Sequence, residues 1–208
     1  MKALYRIVNA LLAAAVFPVI LLMDFVYIRI GTTVVDAGLH ETLTVMDMID
    51  IVRGEHTFSF IFDGIKSSSF SWPDAFDIIN GRLIASGVSF VLVIIAALFI
   101  IIWSICSSKR IPVLIATAVG LISTIVMTAC FGSAASVITT GVIGVKDVLS
   151  TGLLTSILGS LVKIEAISLA GFQNGLIFTF IFLLIWTGSF YIIEIGEPKE
   201  GKAKKAKK

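Results

Sequence analysis

Four apolar runs, residues 7–28, 84–106, 111–131 and 175–195, divide this chain into alternating oily and polar stretches. Each has about the 20 residues that a helix needs to cross a hydrocarbon layer. No water reaches backbone amides there, so each run must bond within itself, and helices are predicted. The predicted fold class is an all-α membrane protein, a four-transmembrane-helix bundle with a small mixed α/β cap outside the cytoplasm. The first span with a short leading segment takes residues 1–30. Outer loop 1 follows at 31–83, span two at 84–106 and a tight turn at 107–110. Span three takes 111–131, outer loop 2 takes 132–173, span four 174–195 and a basic tail 196–208.

The loops carry patterns of their own. Leu39, Leu43, Met46, Ile49 and Val52 recur at helical spacing with Asp47 and Asp50 on the other face, which predicts a helix over roughly 41–53 that stops at Gly54. Residues 57–62 place Phe58, Phe60 and Phe62 on one face of a strand. Asp63 and Gly64 supply a hairpin-turn dipeptide. Pro73 suits the first position of a short helix, and Asn80 with Gly81 suits its stop. In the second loop an apolar face, Leu149 to Val162, and a Ser/Thr face predict an amphipathic helix over 148–162. That helix is too short to span. It is either interfacial or re-entrant, or packs in the cap.

Composition agrees with the pattern. Apolar residues make up 57% and charged residues 14%, and the mean hydropathy is +1.04; soluble domains average about 25% charged. The net charge of +2 hides a segregation. Lys2 and Arg6 precede span one, Lys109 and Arg110 fill the short turn, and six lysines lie in the tail. By the positive-inside rule these mark the cytoplasmic side, so a multi-pass protein of the cell membrane with both termini in the cytoplasm is expected. Outer loop 1 has eight acids against Arg53, Lys66 and Arg82. The first run is longer than the 7–15 residues or so of a signal-peptide core, so it is read as a retained anchor. Cys106 and Cys130 fall near opposite faces of the bilayer and are not expected to bond to each other.

Candidate chemistry is sparse. Pro112, Ala116, Gly120, Thr124 and Thr128 repeat every four residues along span three. Such a small-residue stripe lets helices approach closely, either inside this bundle or between subunits. Pro18 kinks span one. Asp24 and Asn9 are the polar residues at membrane depth, Asp24 close to Arg29 near the outer boundary. His40 with Glu41 and Glu55 with His56 have the residue types of metal ligands. A continuous helix over 41–53 would hold the two pairs about 20 Å apart, too far for one ion. No catalytic, cofactor or metal site is predicted. Spans two, three and four lack an interior Asp, Lys, Arg or His, which disfavours proton-coupled carriers and voltage sensors. No nucleophile elbow or phosphate loop occurs.

The chain resembles claudin-type proteins in its tetraspan plan alone: four spans, a larger first outer loop and a tiny inner turn. Their first-loop signature, Gly-Leu-Trp with paired cysteines, is absent, so no residue role carries over. The sequence reading is a non-enzymatic scaffold or interaction subunit acting through its cap. Its alternative is one subunit of an oligomeric channel or pore. Phe58, Phe60, Phe62, Phe70 and Trp72 are the contact candidates for a protein partner or a second copy. Lys202, Lys204, Lys205, Lys207 and Lys208 are the candidates for anionic lipid headgroups at the cytoplasmic face. The tail has no aromatic residue or folded platform, so nucleic acid is not a predicted partner.

Overall fold

The computed structural model describes residues 2–32, 39–56, 59, 77–139 and 162–196. In chain order the elements are α1 (Lys2–Ala14), α2 (Val16–Leu22), β1 (Val26–Thr32), β2 (Leu39–Leu43), α3 (Val45–Arg53), α4 (Asp77–Cys106), α5 (Ile111–Thr139), β3 (Val162–Ser168) and α6 (Ala170–Gly196). The described chain is mostly helical. Four helices are long and apolar enough to cross a membrane, with α1 and α2 together forming the first. At 30 residues α4 is about 45 Å long, well over the roughly 30 Å of a hydrocarbon core.

The first run is shorter as a helix than its hydropathy implies. Proline lacks an N–H, and its ring clashes with the carbonyl four residues earlier. For Pro18 that carbonyl belongs to Ala14, where α1 ends, and Ala15 separates α1 from α2. The helix then stops at Leu22, with Met23 already extended at φ −90° and ψ 137°. The segment beyond, rich in β-branched residues, forms strand β1. Asp24 therefore lies in the link between α2 and β1 and not inside a helix, because its strand-forming neighbours pair with two other chain segments.

Those segments come from the two stretches between the long helices expected to be loops, 31–83 and 132–173. The sheet order is β2-β1-β3, antiparallel throughout. Val26 faces Leu43 on one side and Ser168 on the other; Arg29 faces His40 and Glu165. Arg29 Nη1 lies 3.9 Å from Glu165 Oε2, a cross-strand ion pair. Phe25 extends the sheet inward: its N–H donates to the Leu43 carbonyl and its own carbonyl accepts from Leu169. On the outer edge of β3 the Thr139 hydroxyl at the end of α5 bonds both backbone groups of Ala166, which ties up part of an edge otherwise open to pairing.

Other expectations change as well. The predicted helix over 41–53 begins at Val45, because Leu39–Leu43 pairs with β1 and Thr44 caps the helix. Asn80 and Gly81 do not end a helix; they lie inside α4, whose backbone ladder runs from Asp77 straight into the apolar run. Val162, expected at the end of an amphipathic helix, opens β3, as seven residues there pair with β1. The rest of that predicted helix, the predicted strand over 57–62 and its hairpin lie outside the described residues.

The core sits between the long helices. Val16, Ile20, Val93, Ala97, Ile100, Val113, Leu176, Phe180 and Leu183 are all buried in one cluster. Outward-facing positions on the same helices are Ile and Phe side chains such as Ile95, Ile102, Ile122, Phe178 and Phe182. Apolar side chains turned both inward and outward are what a bundle surrounded by lipid requires.

Candidate functional site

Three aromatic side chains at the sheet end of the bundle meet beneath the sheet. Phe25, just after the first helical run, lies 5.7 Å ring to ring from Phe131 of α5 and 5.9 Å from Phe172 of α6. Beside them is a cleft of about 280 Å³. Phe25, Leu83, Phe90, Met127 and Phe172 contribute apolar walls, Gly87 a low point in one wall, and Val45 of α3 a rim. Its polar groups are few. The Ser86 hydroxyl points to the Met127 carbonyl at 3.5 Å, and Gln173 bonds Ser168. The Thr128 hydroxyl is buried with no hydrogen-bond partner among the described residues. Apolar walls with a few convergent polar atoms suit an apolar chain or side chain better than a charged metabolite.

Helix α3 borders this cleft, and its construction follows from its ends. The Thr44 hydroxyl accepts from the Asp47 N–H at 3.2 Å, while the Thr44 N–H donates to Asp47 Oδ2 at 2.7 Å, a capping box. Partial burial pushes the Asp47 carboxyl up, but the bonds from the Thr44 amide and hydroxyl, with His56 nearby, outweigh it and hold it below its ordinary value of 3.8. Gly54 closes the helix at φ 85°, a left-handed conformation that other residues adopt at a cost. Val45 packs on the main cluster and Ile51 on the sheet. Met48, Ile49 and Val52 on the adjoining arc remain exposed.

The stripe on the third span lies against neighbouring helices of the same chain. A Cβ on Gly120 would overlap the Phe180 ring at Cε1, so only glycine admits that ring. Ala116 packs against the core, and the buried Thr124 hydroxyl bonds the Gly120 carbonyl at 2.8 Å. Thr128 lines the cleft. A second close approach escaped the sequence reading: a Cβ on Gly175 would meet Met23 Sδ at 2.9 Å, where α6 crosses α2. Asn9 is fully buried and accepts a hydrogen bond from Thr187.

Strand β2 also reverses the distance argument for the histidine pairs. With residues 39–43 folded back as a strand, Glu41 Oε1 comes within 3.7 Å of His56 Nε2. Among the described residues no group of three or more metal-ligating side chains assembles around them. Cys106 and Cys130 are unbonded. Phe58, Phe60, Phe62, Phe70, Trp72 and the tail lysines lie outside the described residues.

The cleft aromatics themselves went unremarked in the sequence. Their signal was positional: Phe25, Phe131 and Phe172 each sit at the same end of a different apolar run.

No family model matches this sequence, and no curated protein or solved structure matches it.

Proposed function

We propose that this chain is a non-enzymatic tetraspan integral membrane protein that serves as an interaction subunit at the sheet end of its bundle. On this reading the protein is a multi-pass protein of the cell membrane with both termini in the cytoplasm. The sheet and α3 then face the opposite side. The observation that carries the reading is the half-exposed apolar arc of α3, Met48, Ile49 and Val52, beside the aromatic cleft. Contiguous exposed apolar surface next to a lined cleft marks a place where another apolar surface is received. A protein partner or a second copy of the chain is that occupant. The tail lysines act by attraction to anionic headgroups.

The test is purification in native-like lipid, with the mass of the particle and its companions determined. A companion, or a second copy, is expected with the wild type and is lost from Met48→Asp and Val52→Asp. Retention of the same companion by both variants, or a solitary monomer from the start, overturns the proposal. Ion flux through reconstituted protein, unaffected by either variant, would favour the oligomeric pore in its place.

A further inference from the structure

At the end of the bundle opposite the sheet, α1 and α4 leave an open groove of about 360 Å³. Ala3, Ile7, Ala10 and Leu11 of α1 and Ile105 of α4 line it, and Arg6 and Ser104 supply its polar atoms. Residues 3, 7, 10 and 11 share one face of a helix, and the two alanines make that face a trough. Ile7, Leu11 and Ile105 are exposed, as side chains turned toward lipid would be.

The polar end is incompletely used. Arg6 Nε donates to the Ser104 carbonyl at 2.7 Å, which satisfies a backbone group in the last turn of α4. Among the described residues no carboxylate pairs with its guanidinium. Ser104 is 1% exposed, yet its hydroxyl has no partner among the described residues. A buried hydroxyl left unmade is destabilising, so the arrangement is complete only when an acceptor arrives. A guanidinium and a hydroxyl together are donors for phosphate oxygens. Lys109 and Arg110 stand in the turn at the same end and add positive potential, which disfavours a headgroup carrying its own cation.

The geometry points to a binding site for one anionic phospholipid in the groove between α1 and α4. Its phosphate is held by Arg6 and Ser104, and an acyl chain lies along Ala3, Ile7, Ala10 and Leu11. The site rests on the reading that these helices span a bilayer. It is separate from the sheet-end surface and from diffuse attraction to the tail.

The full chain in detergent, stripped of native lipid, is titrated with dioleoyl phosphatidylglycerol or dioleoyl phosphatidylcholine and followed by native mass spectrometry. One phosphatidylglycerol is expected to be retained in preference to phosphatidylcholine. Arg6→Gln weakens that retention about tenfold, the scale of a lost charge-assisted pair. Arg82→Gln removes the same charge near the other end of α4, away from the groove, and leaves retention nearly unchanged. Ser104→Ala weakens it about threefold and keeps the test open should Arg6→Gln fold poorly, since it deletes only an unpartnered group. Equal effects of Arg6→Gln and Arg82→Gln, no change in Ser104→Ala, or displacement of the lipid by excess inorganic phosphate overturns the site. A chain that needs detergent but shows no headgroup preference overturns the site alone. A chain dispersed in plain buffer overturns the membrane reading as well.

Discussion

Thr187 Oγ1 donates to Asn9 Oδ1 at 3.2 Å, a hydrogen bond between the last long helix and the first across 178 residues of sequence. Both side chains are fully buried, and the Asn9 Nδ2 has no partner among the described residues. The bond helps to fix how α1 and α6 face each other. Thr187→Val keeps the shape and removes the donor. It is expected to lower the unfolding free energy by about 1 kcal/mol, within the range for hydrogen bonds between spans. The double variant Asn9→Leu, Thr187→Val, with no buried polar group left over, is expected to be at least as stable as Thr187→Val alone. Detergent-induced unfolding in mixed micelles reads both; an unchanged Thr187→Val would mean the bond contributes nothing.

Gly120 and Phe180 form a second long-range constraint. A methyl at position 120 overlaps a ring that is itself wholly buried, so the ring must turn against its neighbours. Gly120→Ala is expected to cost about 1–3 kcal/mol, the usual range for overpacking. Phe180→Leu in the same chain is expected to recover part of that loss. A Gly120→Ala protein as stable as wild type would show that α5 and α6 do not pack as described.

Helix α3 carries a pH dependence with a definite sign. The Asp47 carboxyl is held below its ordinary value of 3.8. A depressed carboxyl stabilises the folded state fully above its unfolded value, and that contribution disappears as pH falls through the folded one. Amide exchange over Val45–Arg53 is therefore expected to be flat from neutral pH down to about 5 after correction for intrinsic rates, and to rise in strong acid. Thr44→Ala removes the cap at any pH and is expected to cost about 1 kcal/mol of local stability. Protection of α3 that is indifferent to both changes would contradict the capping box.

Orientation has its own chemical handle. Cys106 is exposed at the end of α4, next to the turn carrying Lys109 and Arg110. With that turn in the cytoplasm, a membrane-impermeant maleimide is expected to label Cys106 in inside-out vesicles and to spare it in intact cells. Labelling from the outside instead would reverse the proposed topology.

Much of this was legible in the sequence, and for a stated reason. Hydrocarbon satisfies no backbone amide, so runs of this length have one regular solution, and counting apolar residues finds the helices. The stripe at Gly120 and Thr124 was legible too, because a period of four residues is a property of the helix alone. What went wrong lay at the ends. Residues 23–30 read as the close of an apolar span, yet β1 takes most of them, since Leu39–Leu43 and Val162–Ser168 offer it partners from both sides. Hydropathy cannot separate a strand paired in this way from one more turn of helix. The same pairing took Leu39 and Leu43 out of a predicted helix and brought Glu41 to His56.

Local chemistry by itself thus determined the four long helices, the Pro18 interruption, the small-residue face and the segregation of charge. Each follows from neighbours a few residues apart. Only the tertiary structure decided which faces meet, where the aromatic cleft forms, that Thr187 finds Asn9, and that Arg6 lies over the end of α4. Those are contacts between distant segments, and their partners are chosen by shape and donor–acceptor geometry that no single segment contains.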